Sequence, residues 1–358
     1  MKPSCVLQIA ILVFACHYES AAQVAFAPPV FYSFDSSESA IVGASVTTID
    51  IIGDGKLALI SPDTGSVVYP GNTILVLTNN GSGIFGSNAT YVVGSAPYSV
   101  IAADVNGDGK PDIICVNHDD KSLSVLTNNG NGGFGSNATY IVGNYPSSVV
   151  AADINGDGNL DLICANTTDN TLSVLTNNGS GSFGSNATYT VGNNPLCVTA
   201  SDVNNDGHID LICASSKRGS ISILTNDGSG GFVVSSTLVA NQANSVVAAD
   251  VNGDGYVDLV YTGIGSGTFV VLTNNGNGGF VLSGTYAAGF NPQSLFAGDI
   301  NGDGNADLMC ANLGLYEYPK NILIGGNTIS VFTNDGSGNF VIAAKPLTGF
   351  TFLCQSMS

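Results

Sequence analysis

The sequence predicts an all-β propeller built from four-stranded blades. Three observations carry the prediction: a unit of 48 or 49 residues recurs along the 358-residue chain, each copy holds four short apolar runs parted by turn residues, and no copy has helical periodicity.

An Asp-rich segment marks the unit. DVNGDGKPD begins at Asp104, DINGDGNLD at Asp153, DVNNDGHID at Asp202, DVNGDGYVD at Asp250 and DINGDGNAD at Asp299, spaced by 49, 49, 48 and 49 residues. A weaker copy, DIIGDGKLA, begins at Asp50. A second marker, Leu-Thr-Asn-Asn-Gly or a close variant, places its Thr at Thr78, Thr127, Thr176, Thr225, Thr273 and Thr333. A Phe follows the Gly-rich stretch each time, at Phe85, Phe134, Phe183, Phe232, Phe280 and Phe340. Markers that keep one phase are the product of internal duplication.

Within the unit that starts at Pro97, strand one covers 99–104 and ends in the Asp loop. Strand two covers 112–117 and strand three 123–127; Asn128 to Gly133 is a Gly-rich hairpin, and strand four covers 134–142. Runs such as Ser-Val-Val-Ala-Ala and Asp-Leu-Ile-Cys-Ala suit strands buried on both faces. Stacked around an axis, such sheets bury both faces and leave short edges. A β-solenoid is the alternative, with rungs usually shorter than this unit.

Six units contain strand one. Phe31 precedes Asp50 by 19 residues, the gap that separates Phe134 from Asp153, and so reads as an extra strand four, with 24–27 its strand three. Residues 349–358 restart a strand one, by analogy with 289–296. The termini together then build a seventh blade; six blades is the rival count.

Residues 1–22 read as an export signal: Lys2, the apolar run from Cys5 to Cys16, then Ser20, Ala21 and Ala22. A buried N-terminal strand is the competing reading. Residues 23–358 are expected to form one domain, secreted, with no transmembrane segment.

Composition bounds the partners. Eight Lys and Arg are scattered through a chain of net charge −19, so neither nucleic acid nor an anionic membrane surface is an expected partner. Of eight Cys, Cys115, Cys164, Cys213 and Cys310 share one repeat position and are read as buried small hydrophobes; Cys197 and Cys354 share another and are left unassigned. Asn88, Asn137 and Asn186 each begin Asn-Ala-Thr, and Asn166 begins Asn-Thr-Thr, the acceptor pattern for glycans in a secretory eukaryote.

The Asp loop, D-x-[ND]-x-D-G-x-x-D, sets oxygen side chains at positions one, three, five and nine, with a backbone carbonyl at seven and Gly at six for the turn. Hard oxygen ligands in a short loop select calcium. No His or Cys lies in ligand register, which disfavours zinc. A turn alone gives no evident reason for Asp at position nine.

These loops resemble the calcium loops of FG-GAP/VCBS repeats, the family of integrin α-subunit propellers and fungal propeller lectins, over roughly residues 41–348. The resemblance implies these ligand sets: Asp104, Asn106, Asp108 and Asp112; Asp153, Asn155, Asp157 and Asp161; Asp202, Asn204, Asp206 and Asp210; Asp250, Asn252, Asp254 and Asp258; Asp299, Asn301, Asp303 and Asp307. In the first copy Ile52 replaces the third-position ligand and Ala58 the ninth, which predicts an empty loop. Five calcium ions would take the net charge from −19 to −9. At a calcium concentration of one to ten times the dissociation constant, each contributes about 0.4–1.4 kcal/mol. The metal is expected to be structural.

An enzyme is not expected. His17 lies in the leader, His118 in a connecting loop and His208 at position seven of an Asp loop, and no nucleophile elbow or phosphate loop occurs. A hydrolase or lyase on the propeller scaffold is the least favoured reading. The resemblance implies a binding module for an extracellular protein, in cell adhesion, with ligands on the two-three and four-one connections. A calcium-dependent lectin is the alternative, weakened by the absence of Trp. Residues 117–121, 166–170 and 215–219 vary between units, and an insertion of about eleven residues around 313–326 carries Tyr316, Glu317, Tyr318 and Lys320, the expected recognition residues. Elemental analysis is expected to find five calcium ions per chain; six would show that Ile52 and Ala58 do not matter.

Overall fold

The computed structural model describes residues 8–11, 30–33, 45–65, 70–82, 84–263, 265–313, 315–317, 322–324, 327–343 and 347–350. Every regular element among them is a β-strand. Six sheets repeat one antiparallel order, each strand pairing with the next in sequence. The first sheet is Thr47–Ile49, Ala58–Gly65, Pro70–Asn79 and Phe85–Val92; the second is Pro97–Ala103, Asp112–Asn117, Ser122–Asn128 and Phe134–Ile141. The third is Pro146–Ala152, Asp161–Asn166, Thr171–Asn177 and Phe183–Thr190, and the fourth Pro195–Ser201, Asp210–Ser215, Ser220–Asn226 and Phe232–Val239. The fifth is Ala243–Ala249, Asp258–Gly263, Thr268–Asn274 and Phe280–Ala287; the sixth opens with Pro292–Gly298, Asp307–Asn312, Asn327–Asn334 and Phe340–Ile342. The strands expected in the second unit match within two residues. The fold is all-β, of propeller blades.

The seventh blade is not found among the described residues. Val30–Ser33, which holds Phe31, pairs with Gln8–Ile11; residues 24–27 lie outside the described chain. Leu347–Phe350 does not restart a strand one: it pairs with Asn327–Asn334 through Ile329 and Asn327, and so continues the outer strand of the sixth sheet. The spacing from Phe340 to Gly349 equals that from Phe280 to Gly289. Because Phe340–Ile342 and Leu347–Phe350 both pair with Asn327–Asn334, Gly349 still belongs to the outer strand.

The chain divides into two compact units: Ser39–Ala200 with Gly207–Leu238, and Met1–Glu38, Ser201–Asp206 and Val239–Ser358. In the first unit, all six residues of the second strand of sheets two to four are buried, Asp112–Asn117, Asp161–Asn166 and Asp210–Ser215. Apolar side chains of successive sheets share cores, as Ile60, Ile74 and Val76 do with Val100, Ile113 and Cys115. Rings join them on the outer strands. Tyr91 meets Phe134 edge to face at 5.3 Å, Tyr140 meets Phe183 at 5.1 Å, and Tyr189 meets Phe232 at 5.5 Å, an arrangement worth about 0.5–1.5 kcal/mol beyond area burial. Within the second unit Tyr286 and Phe340 repeat the contact at 5.5 Å, around the fully buried Phe269.

Cys115, Cys164, Cys213 and Cys310 sit on second strands and are buried, as their apolar neighbours predict. Burial pushes the first three thiols up strongly, and Cys310 up to about 12. The thiolate is the reactive form, so these four are inert in the folded chain. Mass spectrometry after native alkylation at neutral pH is expected to find label on half-buried Cys197 and none on these four.

Candidate functional site

In each meander the one-two Asp loop and the three-four hairpin lie at one end of the blade, the two-three and four-one connections at the other. At the Asp end, position one builds the turn. Asp153 accepts from the N–H of Gly156 (2.8 Å), Asp157 (3.2 Å) and Gly158 (2.8 Å), and Asn155 accepts from Asp157 N–H (2.9 Å). Gly156 and Gly158 have φ of +73° and +86°, which their lack of Cβ permits. The Asp104, Asp250 and Asp299 loops repeat the pattern. So does the first loop, where Asp50 accepts from Gly53 (2.8 Å) and Gly55 (2.7 Å), although it lacks two of the ligand positions. The turn therefore forms whether or not the full ligand set is present.

Position nine has a task that the sequence did not reveal. Asp161 opens the second strand, fully buried; its Oδ1 accepts from Asn177 N–H at 2.7 Å and its Oδ2 from Ile154 N–H at 3.3 Å. The Asn177 side chain then reaches the preceding blade: Nδ2 donates to Val105 O (2.7 Å) and to Leu160 O of its own loop (2.9 Å). The same clamp joins Asp112 and Asn128 to Ile51 O, and Asp210 and Asn226 to Ile154 O. In the other unit it joins Asp258 and Asn274 to Val203 O, and Asp307 and Asn334 to Val251 O. A turn-and-strand framework thus does need Asp at position nine, and that residue alone does not argue for a metal. The signal for the clamp lies in the repeat itself: an Asn sixteen residues after position nine in four of the five copies.

The residues still fit a hard cation. Each of the five later loops offers three carboxylates and an amide oxygen. Burial pushes the Asp112 carboxyl above the ordinary carboxylate range, N–H bonds from Asn128 and Val105 act against this, and the nearby charges of Asp108 and Asp104 add to the rise. Asp161 and Asp258 sit in the same balance with their own loop partners. Among the described residues no three Asp, Glu, His or Cys converge as a metal-holding group, since the side chains turn onto backbone N–H. A carboxylate oxygen has two lone pairs, however, so an N–H and a cation can share it.

At the opposite end the connections differ from blade to blade. Tyr98, His118 and Tyr145 form an aromatic group, with His118 centroids 5.7 Å from Tyr98 and 4.8 Å from Tyr145. Tyr145 is exposed and takes φ of +54°, as Asn194 and Asn291 do at the matching places. One junction on, Thr167, Thr168, Asn170, Asn193, Asn194, Lys217 and Arg218 line an open pocket of about 390 Å³. Its walls are fixed: Asn194 N–H donates to Asn170 Oδ1 (2.8 Å), its Nδ2 to Ser216 Oγ (2.6 Å), and Thr167 Oγ1 to Pro195 O (3.1 Å).

The insertion in the sixth sheet is a hairpin, Leu315–Glu317 paired with Ile322–Ile324. Tyr316 and Glu317 stand on its first strand; Tyr318 and Lys320 lie outside the described residues. Asn88, Asn137 and Asn186 stand on outer strands. Asn166 does not suit a glycan: it is fully buried, accepting from Gly143 N–H (3.0 Å) and donating to Thr171 (3.1 Å) and Ser173 (3.0 Å) hydroxyls.

The FG-GAP-like repeat family matches the chain five times, over residues 50–115, 104–164, 153–213, 202–261 and 250–310. No curated protein matches it. Among solved structures the chain is similar to an Agrocybe aegerita lectin that recognises non-reducing terminal N-acetylglucosamine, at 21% identity over 86% of this chain and 81% of that one, with a TM-score of 0.53. It is also similar to BBS1N in complex with ARL6DN, at 10% identity over 85% and 92%, TM-score 0.57. A catalytically inactive virginiamycin B lyase from Staphylococcus aureus with quinupristin matches at 14% identity over 86% and 85%, TM-score 0.54. At these identities the likeness is one of fold.

Two carboxylates of one loop are expected to behave differently under mutation. In calcium-free buffer Asp161→Ala orphans two backbone N–H groups at a buried site, at about 1–3 kcal/mol each. Asp157→Ala, at an exposed position, is expected to cost about 0.5 kcal/mol or less. Denaturant melts of both variants check the order.

Proposed function

The chain belongs to the family of FG-GAP-like repeat proteins, and we propose that it is an exported, calcium-stabilised binding module whose ligand surface is the end of the blades formed by the two-three and four-one connections. One observation carries the reading. The clamp, the turns and the ring contacts recur with nearly the same distances from blade to blade, while the opposite connections change from aromatic to amide, hydroxyl and cationic side chains. Variation held on a constant frame is how loops carry recognition.

A saccharide suits this surface better than a flat protein contact. The pocket lining is made of amides, hydroxyls and two cations, matched to a hydroxylated ligand. The exposed Tyr145 ring beside His118 offers a face for a sugar ring. The fold neighbour from Agrocybe aegerita, a lectin for N-acetylglucosamine, fits the same reading. The protein-binding alternative rests on the hairpin that carries Tyr316 and Glu317. Catalysis is no part of the proposal.

Calcium would be held by positions one, three, five and nine of the five later loops, and would supply positive charge between carboxylates that otherwise repel. It has no step in ligand chemistry here. Export rests on the apolar run after Lys2 and the small residues that follow. Gln8–Ile11 and its pairing with Val30–Ser33 would then belong to the precursor alone.

Chelation is expected to lower the melting temperature, with recovery on adding calcium; an unchanged melt after thorough chelation would contradict the structural metal. On a glycan array, Tyr145→Asn is expected to melt like the parent, since Asn194 and Asn291 adopt the same φ, while losing several-fold in sugar capture. Undiminished capture by that variant would remove the aromatic group from the ligand surface.

A further inference from the structure

The two-three loops of the second, third and fourth sheets share one backbone hydrogen bond. Asp119 N–H donates to Ser95 O (3.3 Å), Thr168 N–H to Asn144 O (3.3 Å) and Lys217 N–H to Asn193 O (3.2 Å). The next residue in each loop is Asp120, Asp169 and Arg218. In the first two loops this side chain has a defined partner. Asp120 Oδ2 accepts from Ser95 N–H at 2.7 Å. Asp169 accepts from Asn144 N–H at 2.7 Å and from Asn144 Nδ2 at 2.8 and 3.0 Å. The backbone and amide of one Asn thus make a two-donor cradle for a carboxylate.

In the fourth sheet's loop the Asn is kept and the carboxylate is gone. Asn193 is the counterpart of Asn144, and among the described residues its N–H meets no acceptor. Arg218 has replaced the Asp, with Lys217 beside it, and both line the pocket together with Asn193. Neither cation forms an ion pair among the described residues. Asp169, the nearest acid in sequence to the pocket loops, is turned onto Asn144 instead. Two adjacent, unneutralised cations are unusual in a chain with eight Lys and Arg and a net charge of −19.

We infer that this pocket binds the carboxylate of an acidic saccharide, the ligand's carboxylate taking on Asn193 the place that Asp169 takes on Asn144. Arg218 and Lys217 supply the countercharge, Arg218 with a fork suited to two oxygens. The hydroxyls and amides of Thr167, Thr168, Asn170 and Asn194 are left to meet the sugar hydroxyls. The inference rests on the loop-end binding surface proposed above and names its ligand class at one junction.

Calorimetric titration of the calcium-loaded protein with glucuronate, glucose and sodium sulfate tests it, alongside Arg218→Asp. Glucuronate is expected to bind at least about tenfold more tightly than glucose and to weaken several-fold as salt shortens the reach of the charges. Sulfate is expected to compete more weakly, since it brings the anion without the hydroxyls. Arg218 has φ of +70°, which Asp tolerates, so Arg218→Asp is expected to melt no lower than the parent and to lose glucuronate binding. Glucuronate bound no better than glucose, or bound equally by Arg218→Asp, would overturn the inference, as would no heat with any probe. Glucose binding that persists with no preference for glucuronate would overturn it while leaving the loop-end binding surface standing. If sulfate matches glucuronate, the site is one for oxyanions and the saccharide class is wrong.

Discussion

The fold depends on a buried carboxylate that holds two backbone N–H groups and, through them, the preceding blade. Position nine of each intact loop starts the second strand, where an unpaired charge would be costly. Its two oxygens fix the N–H of position two and of the Asn that ends strand three, and that Asn spans to the carbonyl of the preceding loop. The contact is repeated five times among the described residues and absent from the first loop, where Ala58 stands at position nine. Lateral cohesion thus combines apolar stacking, which is tolerant of sequence, with a polar clamp, which is not.

This clamp changes the place of the metal in the account. Because the Asp50 turn forms without two of the ligand positions, the loop conformation comes from position one and the glycines. A cation would be added to a loop already shaped, and would relieve the repulsion that Asp104 and Asp108 exert on Asp112. Each cation would then stabilise its own loop.

Much of this was legible in the sequence. Two markers in phase gave the blade, its four strands and the buried second strand, because turn residues and apolar runs are local signals. The Asn that ends strand three looks like a turn residue in the sequence, and only its fixed spacing from position nine marks the clamp. Composition cannot say whether a carboxylate holds a cation or an N–H, since both want oxygen. The terminal blade is not legible because Gly349 has the phase of a strand one, while its place on the outer strand is a property of pairing. The pocket could be found only by comparing loops: Arg218 in the register of Asp120 and Asp169 is visible in the aligned repeats, but the cradle it vacates is a matter of backbone geometry.

The clamp is the claim on which the rest stands, and a double-mutant cycle on Asp161 and Asn177 tests it most directly. Denaturant melts of Asp161→Ala, Asn177→Ala and the pair, all without calcium, give the coupling energy free of any metal contribution. The account predicts a coupling of about 0.5–3 kcal/mol, because Asp161 holds the backbone N–H of Asn177 and so aims the amide that reaches Val105 O and Leu160 O. Additive losses would mean that the two residues act independently and that Asp161 does not aim the Asn177 amide at the preceding blade.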